Sequence, residues 1–195
     1  MIKDLLIKNR TYRRYDETVK IPEDKLIEWV DLTRYCASGR NAQPLKYIIS
    51  CDKEKNQKVF SALAWAAYLK DWDGPVEGER PTAYIIQLLD TTIANNFFCD
   101  DGIAAQSILL AAVEEGFGGC IFRSINKIKL AELLGIPEHL QIINVISFGK
   151  PIEKVVIDDL KNDDYKYWRE EDGTHHVPKR LLKDIYPLIY KMRNE

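Results

Sequence analysis

The chain is poor in the side chains that metal and hydrolase chemistry needs. Its three histidines, His139, His175 and His176, form no HExxH pattern and no His/Cys spacing for zinc. Its four cysteines, Cys36, Cys51, Cys99 and Cys120, lie far apart with no CxxC, which reads as reduced, buried thiols of a cytoplasmic protein. There is no GxSxG elbow and no Walker A pattern. No apolar run approaches the ~20 residues that cross a bilayer. The opening MIKDLLIKNR carries Lys3, Asp4 and Lys8 where a signal peptide needs an apolar stretch. A basic excess is missing too: the net charge is −2, which argues against a nucleic-acid or membrane-surface partner. The expectation is a cytoplasmic protein with no metal, no nucleic acid and no membrane.

What the chain has is enough length for a core and one concentrated basic stretch. At 195 residues it fits one domain, and 46% hydrophobic with 30% charged residues is ordinary for a globular protein. The segment RTYRRY, Arg10–Tyr15, puts three arginines and a threonine hydroxyl into six residues. It reads either as a solvated helix end whose cations favour the helix dipole or as an anion site, a phosphate above all. Nucleic acid is a third reading, with no second basic stretch rich in exposed aromatics to support it.

Periodicity lays out alternating helices and strands. Helices are expected over Ile2–Asn9, from Pro22 through Leu26, Trp29, Val30 and Thr33, over Lys53–Leu69, along DDGIAAQSILLAAVEE, over Lys127–Leu134 and near Leu181–Tyr190. Strands are expected at LKYIISC, TAYIIQLLD, Cys120–Phe122 and QIINVISFG. The helix from Asp100 is apolar almost all round, as a helix in the centre of a domain is. The class is therefore α/β or α+β. From Pro151 onward the chain is charged, aromatic and weakly periodic, too long for an idle loop, and a partner subunit is one thing it would wrap.

Three more stretches carry candidate chemistry. ASGRNAQP reads as a plain turn, yet Arg40 and Gln43 go beyond what a turn needs, and an amide can bond both edges of a heterocycle. EGFGGC reads as a helix end and strand entry or as a place where a ligand meets bare backbone; it closes a helix and so is no dinucleotide fingerprint. HHVPKR holds a second cationic pair, Lys179 and Arg180, either at an exposed helix start or converging with Arg10 on one phosphate.

Taken in order, these stretches resemble the FMN-dependent nitroreductase family. RTYRRY looks like its R-S-x-R-x-F motif, SGRNAQP like its S-x-x-N-x-Q-P loop, and DDGIAAQSILLAAVEEGFGGC like its central helix and glycine turn. ISFGKP resembles its late strand and HHVPKR its C-terminal basic motif. Asn9, Ser107 and Leu45 stand where many members carry Arg, Asn and Trp.

The resemblance implies a three-layer α+β fold, a central antiparallel sheet flanked by helices. It implies one domain over residues 1–195 whose last part, 151–195, wraps the partner of a homodimer. It also implies FMN at the subunit interface. By the match, Arg10, Thr11 and Arg13 bind FMN from one subunit, Lys179 and Arg180 add to the phosphate site, and Gly118 and Gly119 offer backbone at flavin N5. Ser38, Arg40, Asn41 and Gln43 come from the other subunit. The implied activity passes hydride from NAD(P)H through flavin N5 to a nitroaromatic, quinone or similar small acceptor. No catalytic residue of the protein is assigned, because the flavin carries the chemistry. The alternatives are a flavin-holding or flavin-sensing protein without turnover, and a free-flavin reductase.

Overall fold

The computed structural model describes residues 1–186. In chain order they form α1 (Ile2–Lys8), β1 (Tyr15–Asp16), α2 (Glu23–Asp31), β2 (Leu45–Ser50), α3 (Lys53–Phe60), β3 (Ala83–Asp90) and α4 (Asp100–Glu114). There follow β4 (Gly118–Phe122), α5 (Lys127–Leu134), β5 (Leu140–Pro151), β6 (Val155–Asp159), β7 (Trp168–Arg169), β8 (His175–Lys179) and α6 (Leu182–Ile185). Short 3₁₀ turns cover Leu32–Tyr35 and Gly39–Asn41. The chain divides into two compact units. The first is Met1–Trp65 with Asp73–Ile152, and the second is Ala66–Trp72 with the chain from Glu153 onward.

The first unit is built on β3, in which every residue is buried. Side chains alternate across a strand, so a strand covered on both faces reads as a near-continuous apolar run, as YIIQLL does with buried Gln87 its one interruption. Ala83 and Ile85 pack with Leu26 and Trp29 of α2 and Ala105, Ile108 and Ala112 of α4. Tyr84, Ile86 and Leu88 pack on the other side with Val59 of α3 and Leu130 of α5. The result is three layers, helix–sheet–helix. All pairings in this sheet are antiparallel, in the order β1-β5-β3-β2 with β4 also on β5.

The structure corrects three sequence expectations here. The helix expected over Lys53–Leu69 stops at Phe60. Tertiary contacts override the helical composition of SALAWAAYL: Leu63 bridges Ile125, Ala64 N–H donates to the Ser124 carbonyl (3.0 Å), and Trp65 packs edge-on to Phe122. Only Cys120 among the cysteines is buried; Cys36 and Cys51 are half-buried and Cys99 is exposed. The central helix α4 is not covered all round, since Gly102, Ile103 and Gln106 are exposed within the chain.

The second unit has a small sheet of its own, β6-β8-β7, with β6 parallel and β7 antiparallel to β8. HHVPK is therefore a strand, not the start of a helix. His175 is fully buried in it beside Tyr167, and Trp168 stacks flat on His176. Tyr68 meets Tyr165 and Tyr167, and Arg169 lies over Trp72 while pairing with buried Glu153. The last expected helix begins at Leu182, and its expected continuation to Tyr190 lies outside the described residues.

Candidate functional site

The basic stretch sorts its residues by depth. Tyr15 is fully buried, with its hydroxyl shared between the Tyr12 carbonyl (2.5 Å) and Ser147 Oγ (3.0 Å). Arg14 is committed to Glu79 through two bonds, at 2.7 and 2.6 Å. Arg13 is only 9% exposed and is not a free cation. Arg10 is half-buried; one of its terminal nitrogens donates to the Leu6 carbonyl, while its buried Nε has no partner among the described residues. Thr11 is exposed. The three arginines read alike in the sequence but have different surroundings, and Arg14 serves the fold.

Thr11 also brings two motifs together. It bridges Gly119 in parallel, and Tyr12 N–H donates to the Gly119 carbonyl at 3.1 Å. Gly118 and Gly119 belong to strand β4, so the expected glycine turn at Gly118–Cys120 is extended chain. The chain's own packing requires both glycines. A Cβ on Gly118 would lie 2.4 Å from the Tyr12 ring, and one on Gly119 would lie 2.4 Å from the Ser147 carbonyl.

The second group sits at the other end of α4. The loop Ser38–Gln43 carries exposed Arg40, Asn41 and Gln43, and all three adopt left-handed backbone, with φ of 56°, 55° and 52°. Ser38 Oγ donates to Asp100 (2.6 Å) and Gly39 N–H donates to the same carboxylate (2.8 Å). Ser38 Oγ also accepts from Gln43 N–H at 2.9 Å. Asp100 is the first residue of α4 and is 3% exposed. Sequence reading missed it, although an acidic pair opening a helix is a visible signal. Its neighbour Asp101 is paired with Arg123, which follows β4.

These contacts set the spacing. α4 has 15 residues, a length of ~22 Å at 1.5 Å per residue. Thr11 and Gly119 lie at its C-terminal end, where β4 begins, and the Ser38 loop lies at its N-terminal end. Beneath the loop is a cavity of about 380 Å³ lined by Val30, Thr33, Ser38, Gln43, Tyr47 and Asp100, among others. Burial pushes the Tyr47 phenol above its ordinary pKa. Lys179 and Arg180 belong to the second unit, where both are exposed and Arg180 pairs with Asp163 at 2.8 Å.

The helix–sheet–helix α+β unit is the fold of solved nitroreductase family proteins. The family model described as Nitroreductase family matches residues 6–150, and the chain belongs to that family of oxidoreductases. A curated protein of Methanothermobacter thermautotrophicus, provisionally named NADH dehydrogenase/NAD(P)H nitroreductase, is 26% identical over 162 residues, 80% of each chain. One of the same name from Archaeoglobus fulgidus is 26% identical over 155 residues, 75% of this chain and 83% of the relative. Among solved structures, an FMN-dependent nitroreductase of Clostridium difficile superposes with a TM-score of 0.63 at 23% identity, over 88% of this chain and 99% of that one. A nitroreductase family protein of Streptococcus pneumoniae gives 0.67 at 17% identity, over 87% and 100%.

Proposed function

We propose that the protein is an FMN-dependent NAD(P)H oxidoreductase that works as a homodimer, with each flavin held between two chains. The observation that carries this reading is the separation along α4. Two sets of ligand-type residues stand at opposite ends of a ~22 Å helix, so a second copy is the natural way for them to meet around one ligand. The open face of α4 at Gly102, Ile103 and Gln106, with Ile103 as its apolar side chain, is free within the chain to receive that copy.

The residues fit FMN. Arg10, whose buried Nε has no partner among the described residues, and exposed Thr11 suit a monophosphate. Arg13 adds positive charge close by. Arg40, Asn41 and Gln43 present a guanidinium and two amides, which suit the polar edge of a flavin ring. Gly118 and Gly119 bring bare backbone to the same end as Arg10, and Lys179 and Arg180 are the remaining cations of the reading. Bound FMN would supply the two-electron chemistry between NAD(P)H and a nitroaromatic, quinone or similar small acceptor. The chain's part is to hold the ring, balance its charge and exclude water. The names of the archaeal relatives and of the Clostridium difficile protein support this choice of cofactor and donor.

The test is the absorbance spectrum of the purified protein, anaerobically, before and after NADH and NADPH. A flavin spectrum bleached by one of them, with FMN recovered on extraction, is the expected result. A flavin that neither nicotinamide reduces would make the protein a flavin holder. A colourless protein that cannot be reconstituted with FMN would remove the reading altogether.

A further inference from the structure

We propose that Asp100 is the positioning residue of the Ser38–Gln43 loop, and that Ser38 serves the loop rather than the ligand. The proposal deepens the flavin reading and rests on it for the identity of the ligand.

The loop is costly to form. Three residues with side chains, Arg40, Asn41 and Gln43, hold a backbone conformation that L-residues rarely adopt. Such strain persists only where the surroundings over-determine it. Here one anchor lies outside the loop, on Asp100. Both oxygens of Asp100 are taken by the loop, one by Ser38 Oγ and one by Gly39 N–H. The buried carboxylate sits on the first turn of a 15-residue helix, where the dipole favours negative charge.

Ser38 then passes the restraint on. Its single hydroxyl proton goes to Asp100, and an oxygen lone pair takes the Gln43 N–H. The loop is thus tied at both ends through one side chain. Gln43 Nε2 closes it further by donating to the Asn41 carbonyl at 3.1 Å. Phe98, two residues before Asp100, abuts Gly39 so closely that a Cβ there would lie 2.4 Å from its ring.

The consequence is a division of labour. With its proton committed to a carboxylate, the Ser38 hydroxyl has none left to donate to a phosphate or a flavin carbonyl. Beside Asp100 it also stands in a field that repels anions. Arg40, Asn41 and Gln43 are the exposed members of the loop, with Arg40 over the Phe98 ring and the Gln43 amide bonded back to Asn41, and they are the members a ligand can reach.

The experiment compares the full-length wild type with Ser38→Ala, Asp100→Asn, Asp100→Ala and the Ser38→Ala/Asp100→Ala double variant. Amide hydrogen exchange on flavin-free protein reads the loop without any ligand. Exchange at Gly39 and Gln43 should rise about tenfold or more in Ser38→Ala and Asp100→Ala, with β3 amides unchanged. FMN titration should then show affinity about tenfold weaker in each single variant, with no further loss in the double. Asp100→Asn, which keeps an acceptor for Gly39 N–H, should recover part of both effects. Wild-type exchange at Gly39 and Gln43 in Ser38→Ala and Asp100→Asn would overturn the proposal even if Asp100→Ala fails to fold. So would a Ser38 effect on FMN that adds in full to that of Asp100, since it would make Ser38 a direct ligand. A wild type that takes up no FMN sinks the functional reading instead, and the exchange arm tells the two failures apart.

Discussion

Thr11 bridges Gly119 in parallel, and Gly119 has no room for a side chain because a Cβ would lie 2.4 Å from the Ser147 carbonyl of β5. The basic segment, β4 and β5 therefore approach one another as bare backbone. Gly119→Ala should destabilise the protein by roughly 1–3 kcal/mol through overpacking against a carbonyl that cannot move. Chemical denaturation of flavin-free protein would read it. An unchanged midpoint would mean that β4 shifts freely and that the glycine belongs to a ligand rather than to the fold.

Arg10 and Arg14 are four residues apart and should fail in different ways. Arg14 makes a bidentate, half-buried pair with Glu79, so Arg14→Ala should cost about 1–2 kcal/mol of stability. Arg10→Ala should leave stability nearly unchanged and weaken FMN binding by about 10- to 150-fold, the loss of one charge-assisted bond. Denaturation curves and flavin titrations on both variants separate the roles. If Arg180 shares the phosphate, its Ala variant should weaken FMN similarly and couple with Arg10→Ala. If Asp163 is its only partner, FMN affinity will not change.

The open face of α4 gives a test of the proposal that the site is shared between two copies. Ile103 is 36% exposed within the chain, and Ile103→Arg should cost the single chain little. In a dimer packed on that face, it buries a charge against apolar surface. Light scattering should show a shift from dimer to monomer, with flavin lost in parallel. A flavin-loaded monomer would rule out a site shared between copies.

Three aspartates share one local device, a carboxylate bonded by the hydroxyl and N–H of the threonine two residues on. The Thr18 hydroxyl and then its N–H hold Asp16 below the usual carboxylate range, and the Thr92 hydroxyl does the same for Asp90. For Asp172 the Thr174 N–H leads and its hydroxyl follows. A depressed folded value stabilises the native state above the unfolded pKa of about 3.9, and that gain is lost as pH falls from there through the folded values. Thr92→Val should raise the Asp90 pKa in an NMR titration and flatten the loss of stability just below pH 4. An unmoved Asp90 resonance would show that the hydroxyl contributes nothing.

Sequence and structure divide the explanation by the range of the forces involved. The strand TAYIIQLLD, the helix Lys127–Leu134 and the buried stripe of Leu26 and Trp29 were legible because local periodicity and burial agree there. The motifs RTYRRY and SGRNAQP stand out in the sequence because a plain turn or helix end rarely needs so many charges and amides, and that they hold a ligand is the proposal made above. Which arginine serves which purpose was not legible, since Glu79 lies 65 residues from Arg14 and no local pattern links them. The early end of α3 was hidden for the same reason: SALAWAAYL has helical composition, and only Ile125, Ser124 and Phe122, brought in by the sheet, pull it out of the helix. Asp100 is the clearest case. In the sequence it is an acid at a helix start, and only the folded chain brings the Ser38 hydroxyl and Gly39 N–H to its two oxygens.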